Sequence, residues 1–234
     1  VTSLNNYLDC PLAFYYKNLI RIPSGKSENL EFGSAVHFAL QKLFEEMQKN
    51  EKQEFPSKEK VLGYFEWYMK RHRENFTREA YDRRMEQGEI VLGEYYEHYI
   101  NDFNKIVAVE RNIKNVVNGI PIKGKIDKME FTGKEVNVVD YKTGDVNSDY
   151  TKKKLMPPNE KQPNGGDYWR QAVFYKILID NMDVKDWKVV SSEFDFVEPD
   201  KVKGFQKRKI FIEPADITTV KQQLTEVWNK IQAR

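Results

Sequence analysis

Two carboxylates and a lysine carry the first chemical signal in this chain. Asp140 and Lys142 stand two positions apart in Val138-Val-Asp-Tyr-Lys142, a run that reads as a strand. Side chains alternate along a strand, so Asp140 and Lys142 share a face and Tyr141 takes the other. Asp127 lies in the preceding strand-like run, Ile120 to Phe131, and Thr132-Gly133 separates the two as a turn. A hairpin centred on that turn sets Asp127 across from Val138 and diagonal to Asp140, at roughly 7–8 Å. Asn118-Gly119 is the strongest two-residue hairpin signal. A hairpin centred there sets Glu110 directly across from Asp127. Three acids then line one face of three neighbouring strands, with Lys142 beside them. Opposed like charges destabilise a sheet, and a hard cation between them reverses that cost. Oxygen donors without a cysteine or histidine cluster favour Mg²⁺ or Mn²⁺ over Zn²⁺. A lysine beside such a cation suits phosphate chemistry, stabilising charge on the phosphate or helping to position and deprotonate a water.

The elements that must position these groups can be read around them. Ser3 to Lys17 suits two short helical turns broken at Pro11, and residues 23–32 read as a loop. A helix over about 34–49 places Val36, Leu40, Leu43, Phe44 and Met47 on one face. Ser57 caps the next helix, and helical pattern continues with breaks to about residue 104. Tyr64, Phe65, Trp67, Tyr68, Tyr81, Tyr95, Tyr96 and Tyr99 crowd this stretch and read as helix-packing core. Strands follow over 106–117, 120–131 and 135–141. Residues 145–166 read as a polar loop, a lid or disordered, then Asp167 to Asp180 as a helix. Two more strands, 187–197 and 209–212, precede a last helix, Pro214 to Ile231. The expected fold class is α/β: a central mixed sheet flanked by helices, with a helical elaboration over 1–104 and an α/β core over 105–234, all in one domain.

Composition narrows the function classes. The chain has 234 residues, 40% of them hydrophobic and 13% aromatic, too many for a disordered chain. No run approaches 18 apolar residues, so no membrane association is expected. The single cysteine, Cys10, excludes a disulfide framework or a multi-cysteine metal site within the chain. A reduced, cytoplasmic setting is expected. Lys and Arg number 38 against 36 Asp and Glu, a net charge of +2, so bulk charge marks no strongly basic nucleic-acid binder. The local basic patches are Lys152-Lys153-Lys154 and the set Lys201, Lys203, Lys207, Arg208 and Lys209. The chain opens on Val1 rather than Met, and we expect it to be part of a longer protein.

Gly124-Lys-Ile-Asp127, Val138-Val-Asp140-Tyr-Lys142-Thr-Gly144 and Gln171-Ala-Val-Phe-Tyr175 together resemble the PD-(D/E)XK nuclease superfamily. More narrowly they resemble its RecB-like and AddB-like nuclease domains. Gly33-Ser-Ala-Val-His37 is similar to that family's first motif, and Ser3 to Tyr16 is similar to the opening of these domains. The resemblance implies a restriction-endonuclease-like core of three antiparallel strands, a helix and further strands. It implies a Mg²⁺-dependent (or Mn²⁺-dependent) deoxyribonuclease acting on DNA, with exonuclease action expected. A helicase domain or subunit would feed it, in double-strand-break repair or recombination, and the isolated domain would be monomeric. Asp127, Asp140 and the main-chain carbonyl of Tyr141 would be metal ligands, and Lys142 the catalytic lysine. His37 would approach metal or substrate. Gln171 would orient the lysine or contact DNA, with Tyr175 one turn later on the same face. Glu110 rests on the register argument alone, and His72 and His98 match no motif. AddB-like proteins carry a four-cysteine iron–sulfur staple. Cys10 stands where its first cysteine would be and has no companion, so no such cluster is expected. Cys10 is expected to be buried, and the N-terminal segment to dock through Leu4, Tyr7, Leu8, Phe14 and Tyr15. Two other readings compete: a binding module of the same fold without catalysis, and a helical interaction domain built on residues 34–104. The Asp127, Asp140 and Lys142 set speaks for the enzyme.

Overall fold

The computed structural model describes residues 1–25, 27–182 and 186–233. Helices come first. Helix α1 (Thr2–Asp9) and α2 (Pro11–Phe14) lead into a π-helical turn, Tyr15–Ile20. Helices α3 (Glu28–Lys49), α4 (Lys58–Arg71) and α5 (Arg78–Tyr99) follow. Ser27, Ser57 and Thr77 cap their N-termini, each accepting from the backbone N–H three residues on. The Ser27 cap starts α3 inside the stretch read as loop.

Strands β1 (Val107–Val117), β2 (Ile120–Thr132) and β3 (Glu135–Lys142) form two antiparallel hairpins. Helices α6 (Asp149–Leu155) and α7 (Asp167–Asp180) connect β3 to its parallel neighbour β4 (Lys188–Asp200). Strand β5 (Gly204–Ile210) returns antiparallel, and α8 (Pro214–Gln232) closes the chain. The sheet order is β1-β2-β3-β4-β5, a mixed sheet with helices on its faces. The expected α/β class holds. Two expectations for the elements after β3 do not. Residues 145–166 contain a helix, because Ser148 accepts from the Thr151 N–H and starts α6. The last strand begins at Gly204, whose φ of +67° closes the turn before it.

Two cores sandwich the sheet. One face packs on α3, α4 and α5 through Phe32, Leu43, Phe44, Phe65 and Tyr95. The other packs on α7 and α8 through Ile126, Val138, Val173, Leu178 and Val220. Leu4, Tyr7 and Phe14 dock on α8 at Val227, as expected, with Leu8 half-buried beside them. Tyr15 stays exposed and packs edge-on against Tyr16 instead. Cys10 is exposed too, not buried. It sits at the N-cap of α2, where its Sγ accepts from the Ala13 N–H at 3.5 Å.

Helix α5 packs closely on α4 at Gly88. A Cβ on Gly88 would sit 2.0 Å from Cζ of Phe65, a fully buried ring. Gly88→Ala gains up to about 1 kcal/mol of helix propensity and meets an overpacking cost of about 1–3 kcal/mol. We expect a net loss of stability and a Tm lower by several degrees, read by circular dichroism. An unchanged or raised Tm would show that Phe65 yields cheaply.

Candidate active site

The β1–β2 hairpin keeps the register of the Asn118-Gly119 turn, with Val117 opposite Ile120 and Arg111 opposite Ile126. The second hairpin turns one residue later than Thr132-Gly133 implies: Thr132 pairs with Glu135 and Lys128 with Val139. That moves the register by two, which preserves the face and brings the acids closer. The ladder ends at Lys128–Val139, and the same register continued one step would set Asp127 opposite Asp140 rather than diagonal to it. Asp127 reaches across, and its Oδ2 accepts from the Tyr141 N–H at 3.1 Å.

A twist in the β1–β2 ribbon aims Asp127. Residues two apart normally face the same side. Lys128 nevertheless packs over Phe44 and Phe103 beneath α3, whereas Ile126 belongs to the core under α7. The buried side switches at Asp127, opposite Glu110, whose backbone is left-handed at φ +53°. Glu110 therefore departs from the regular pairing expected for it. Its side chain lines the same cleft, but its carboxylate pairs with Lys125.

Helix α7 delivers the groups that reach Asp140. Gln171 Nε2 donates to Asp140 Oδ1 at 2.7 Å, and its Oε1 accepts from Lys142 Nζ at 3.1 Å. The Tyr175 hydroxyl donates to Asp140 Oδ1 at 3.0 Å and accepts from Gln171 at 2.8 Å. Lys142 Nζ lies 2.5 Å from Asp140 Oδ2. On the other side α3 brings His37, whose Nδ1 is 3.3 Å from Asp127 Oδ2. Gly33, one turn earlier, makes that approach feasible: a Cβ there would lie 3.3 Å from Thr143 Oγ1 at the end of β3. His37, Asp127, Asp140, Lys142, Gln171 and Tyr175 all line one cavity of about 1340 Å³, as does Tyr141.

The electrostatics divide the two acids. Burial pushes the Asp140 carboxyl above the usual carboxylate range, and the pull of Lys142 does not overcome it. Burial also opposes ionisation of Asp127, but there the His37 and Lys142 charges win and hold it below that range. Burial works against charge on His37 and Lys142 as well. Asp127 raises the former and Asp140 the latter regardless. Each of the four groups thus sets the proton affinity of its neighbours, so the site titrates as a unit.

Among the described residues, no three His, Cys, Asp or Glu side chains form a ready-made metal cage. Mg²⁺ does not require one, because it keeps several waters and takes one or two carboxylates plus substrate oxygens. Asp127 and Asp140 fit that donor set. Asp140 Oδ2 is buried and held only by the Lys142 ammonium at 2.5 Å, so it is a carboxylate oxygen already set against positive charge and open to a cation that shares it with the lysine.

Four contributors, Tyr168, Lys114, Lys123 and Lys125, were not singled out from sequence. Tyr168 lies under Lys142, with Nζ 4.5 Å from its ring centroid. Its signal was present, since Tyr168, Gln171 and Tyr175 stand at helical spacing on α7. Lys114 and Lys123 face each other directly across β1 and β2, and both line the cleft with Lys125. The Asn118-Gly119 register already paired them. Opposed lysines cost stability unless an anion lies between them.

A mixed five-stranded sheet with helices on both faces and paired acids on adjacent central strands defines a restriction-endonuclease-like α/β fold. The chain belongs to the PD-(D/E)XK nuclease superfamily, whose family model matches residues 1–234. Among solved structures, it is similar to a protein named "Putative exonuclease" from Eubacterium rectale, at 14% identity and a TM-score of 0.56. That match covers 98% of this chain and 79% of the other. The crystal structure of SSO0001 matches at 14% identity and a TM-score of 0.33, covering 97% of this chain and 85% of that one. A comparison with curated proteins gives no match. Among the described residues, no helix is long and apolar enough to cross a membrane.

Proposed function

We propose that this chain is a Mg²⁺-dependent or Mn²⁺-dependent deoxyribonuclease that hydrolyses phosphodiester bonds, acting as an exonuclease. The observation that carries this reading is the convergence of Asp127, Asp140 and Lys142, tied by Gln171, at one cleft. Asp127 and Asp140 would hold the metal, with the Tyr141 carbonyl beside them. When bound, the cation supplies Lewis-acid polarisation of the phosphate and a more acidic water. The chain's own groups do the rest. Lys142 stabilises the charge that builds on the non-bridging phosphate oxygens. Gln171 and Tyr175 hold Asp140 and keep the Lys142 ammonium aimed into the cleft. His37 fixes the Asp127 carboxylate from the opposite wall. Water attacks phosphorus and forms the new P–O bond, the bond to the ester oxygen of the leaving strand breaks, and the proton the water loses is passed through solvent to that oxygen. Lys114, Lys123 and Lys125 would hold the flanking phosphates.

The name of the similar solved structure supports the exonuclease reading. The RecB-like and AddB-like motifs support a place beside a helicase in double-strand-break repair, with residues 1–234 as one nuclease domain. The test uses purified protein and end-labelled single- and double-stranded DNA, with Mg²⁺, with Mn²⁺ or with EDTA. We expect a ladder growing from the ends with either cation and none with EDTA. A folded protein that binds DNA without cutting it under any cation would replace the enzyme with a binding module.

A further inference from the structure

The aromatic residues of α4 were expected to be core; Phe65 is, and Tyr64 and Tyr68 pack against it half-buried. Trp67 is not: 51% of its surface is exposed. Its indole stacks on Phe38 of α3, with centroids 5.3 Å apart and planes at 24°. Phe38 in turn leans on Tyr68 at 5.4 Å. Phe38 and Tyr68 line the same cleft as His37, so the stack is continuous with the candidate active site and runs outward from it. Cations flank it. The Arg71 guanidinium lies over the Trp67 ring, 5.6 Å from its centroid, where an entering base would have to displace it or stack beside it, and Lys42 Nζ lies over the Phe38 ring at 5.4 Å while pairing with Glu45. Packing explains the inner rings. It does not explain a half-exposed indole held flat by a ring beneath it, since burial would have gained more.

We propose that Trp67, backed by Phe38, is a stacking platform for an unpaired base of single-stranded DNA entering the cleft. The inference rests on the nuclease reading and narrows its substrate to a single strand near the site. A base offers a π-face whatever its identity, and a positively charged rim beside an aromatic shelf is how single strands are gripped without sequence preference. A duplex keeps its bases stacked on one another and offers Trp67 nothing comparable.

The test measures binding by fluorescence anisotropy in EDTA, where no cutting occurs, with oligo-dT and a blunt duplex of equal length. Trp67→Ala is expected to weaken oligo-dT binding about tenfold or more, Trp67→Phe to restore most of it, and duplex binding to change little. Circular dichroism and Tm of the variants control for folding. Equal oligo-dT affinity in wild type and Trp67→Ala would overturn the platform. So would an equal loss on duplex, or no measurable oligo-dT binding by wild type. Metal-dependent hydrolysis of bis(p-nitrophenyl) phosphate by the wild type is measured alongside. It reports on the catalytic centre without any base, so a failed platform and a failed nuclease reading give different results.

Discussion

Asp140→Asn is expected to lower metal-dependent DNA cleavage by about a hundredfold to a thousandfold while leaving the fold and metal-free DNA binding intact. The substitution keeps shape and keeps an oxygen for Gln171 and Tyr175, whose bonds to Oδ1 are 2.7 and 3.0 Å. It removes one of the two carboxylates that would hold the cation, and charge stabilisation of this kind is worth about 10²–10³ per donor lost. Binding in EDTA supplies the discriminating readout. Asp140 places negative charge where a phosphate must come, so its loss should leave DNA affinity unchanged or higher. Lys142→Ala should fail differently, losing cleavage by about 10²–10³. It should also weaken binding, because a cation leaves the cleft and Asp140 loses its 2.5 Å partner. An Asp140→Asn protein that cuts within tenfold of wild type would remove Asp140 from the metal site. Loss of DNA binding together with cleavage would point to a structural role instead.

The fold class was legible because its elements are long and periodic, and because turn chemistry punctuates them. Asn118-Gly119 fixed the first hairpin to the residue. The second was displaced by two because Gly133 takes the left-handed position at φ +62° with Lys134 after it, rather than Thr132 before it. Alternation has a period of two, so an even error left Asp127 on the right face. Asp140, Lys142, Gln171 and Tyr175 were legible because the first two stand at strand spacing and the last two at helix spacing. What was hidden depends on contacts between distant segments. Nothing local predicts that Glu110 takes φ +53° or that the ribbon swaps its buried side at Asp127. Helix α6 hid in a polar stretch because its apolar contacts are few. Cys10 looked like a small core residue, but the turn it caps faces outward.

Arg170 is the residue whose importance the sequence concealed most, and its substitution carries the largest expected cost in stability. It sits on α7 beside Gln171 and is 1% exposed. All of its donors are spent. Nε donates to Gln223 at 3.2 Å, Nη1 to Asn5 at 2.7 Å and Asp167 at 3.2 Å, and Nη2 to the carbonyls of Asn164 and Gly165 at 2.8 and 2.9 Å. One side chain thus ties α1, α8 and the segment before α7 to the helix that carries Gln171 and Tyr175. Arg170→Met keeps the apolar stem but takes the donor from Gln223 Oε1 and Asn5 Oδ1 and the ion pair from Asp167, while the Asn164 and Gly165 carbonyls keep donors in Gln223 and Gln162. Leaving one partner of a buried charged network unpaired costs about 3–5 kcal/mol. For a chain of this size that is a fall in Tm of roughly 6–20 °C. Arg170→Lys should fall between the two, since an ammonium cannot reach acceptors spread around a planar fork. Activity measured well below the lowered Tm should also drop, because α7 no longer holds Gln171 against Asp140. A Tm for Arg170→Met within a degree or so of wild type would show that water or neighbouring side chains satisfy those acceptors. The position of α7 would then be set by its apolar face against the sheet, through Val173, Ile177 and Leu178.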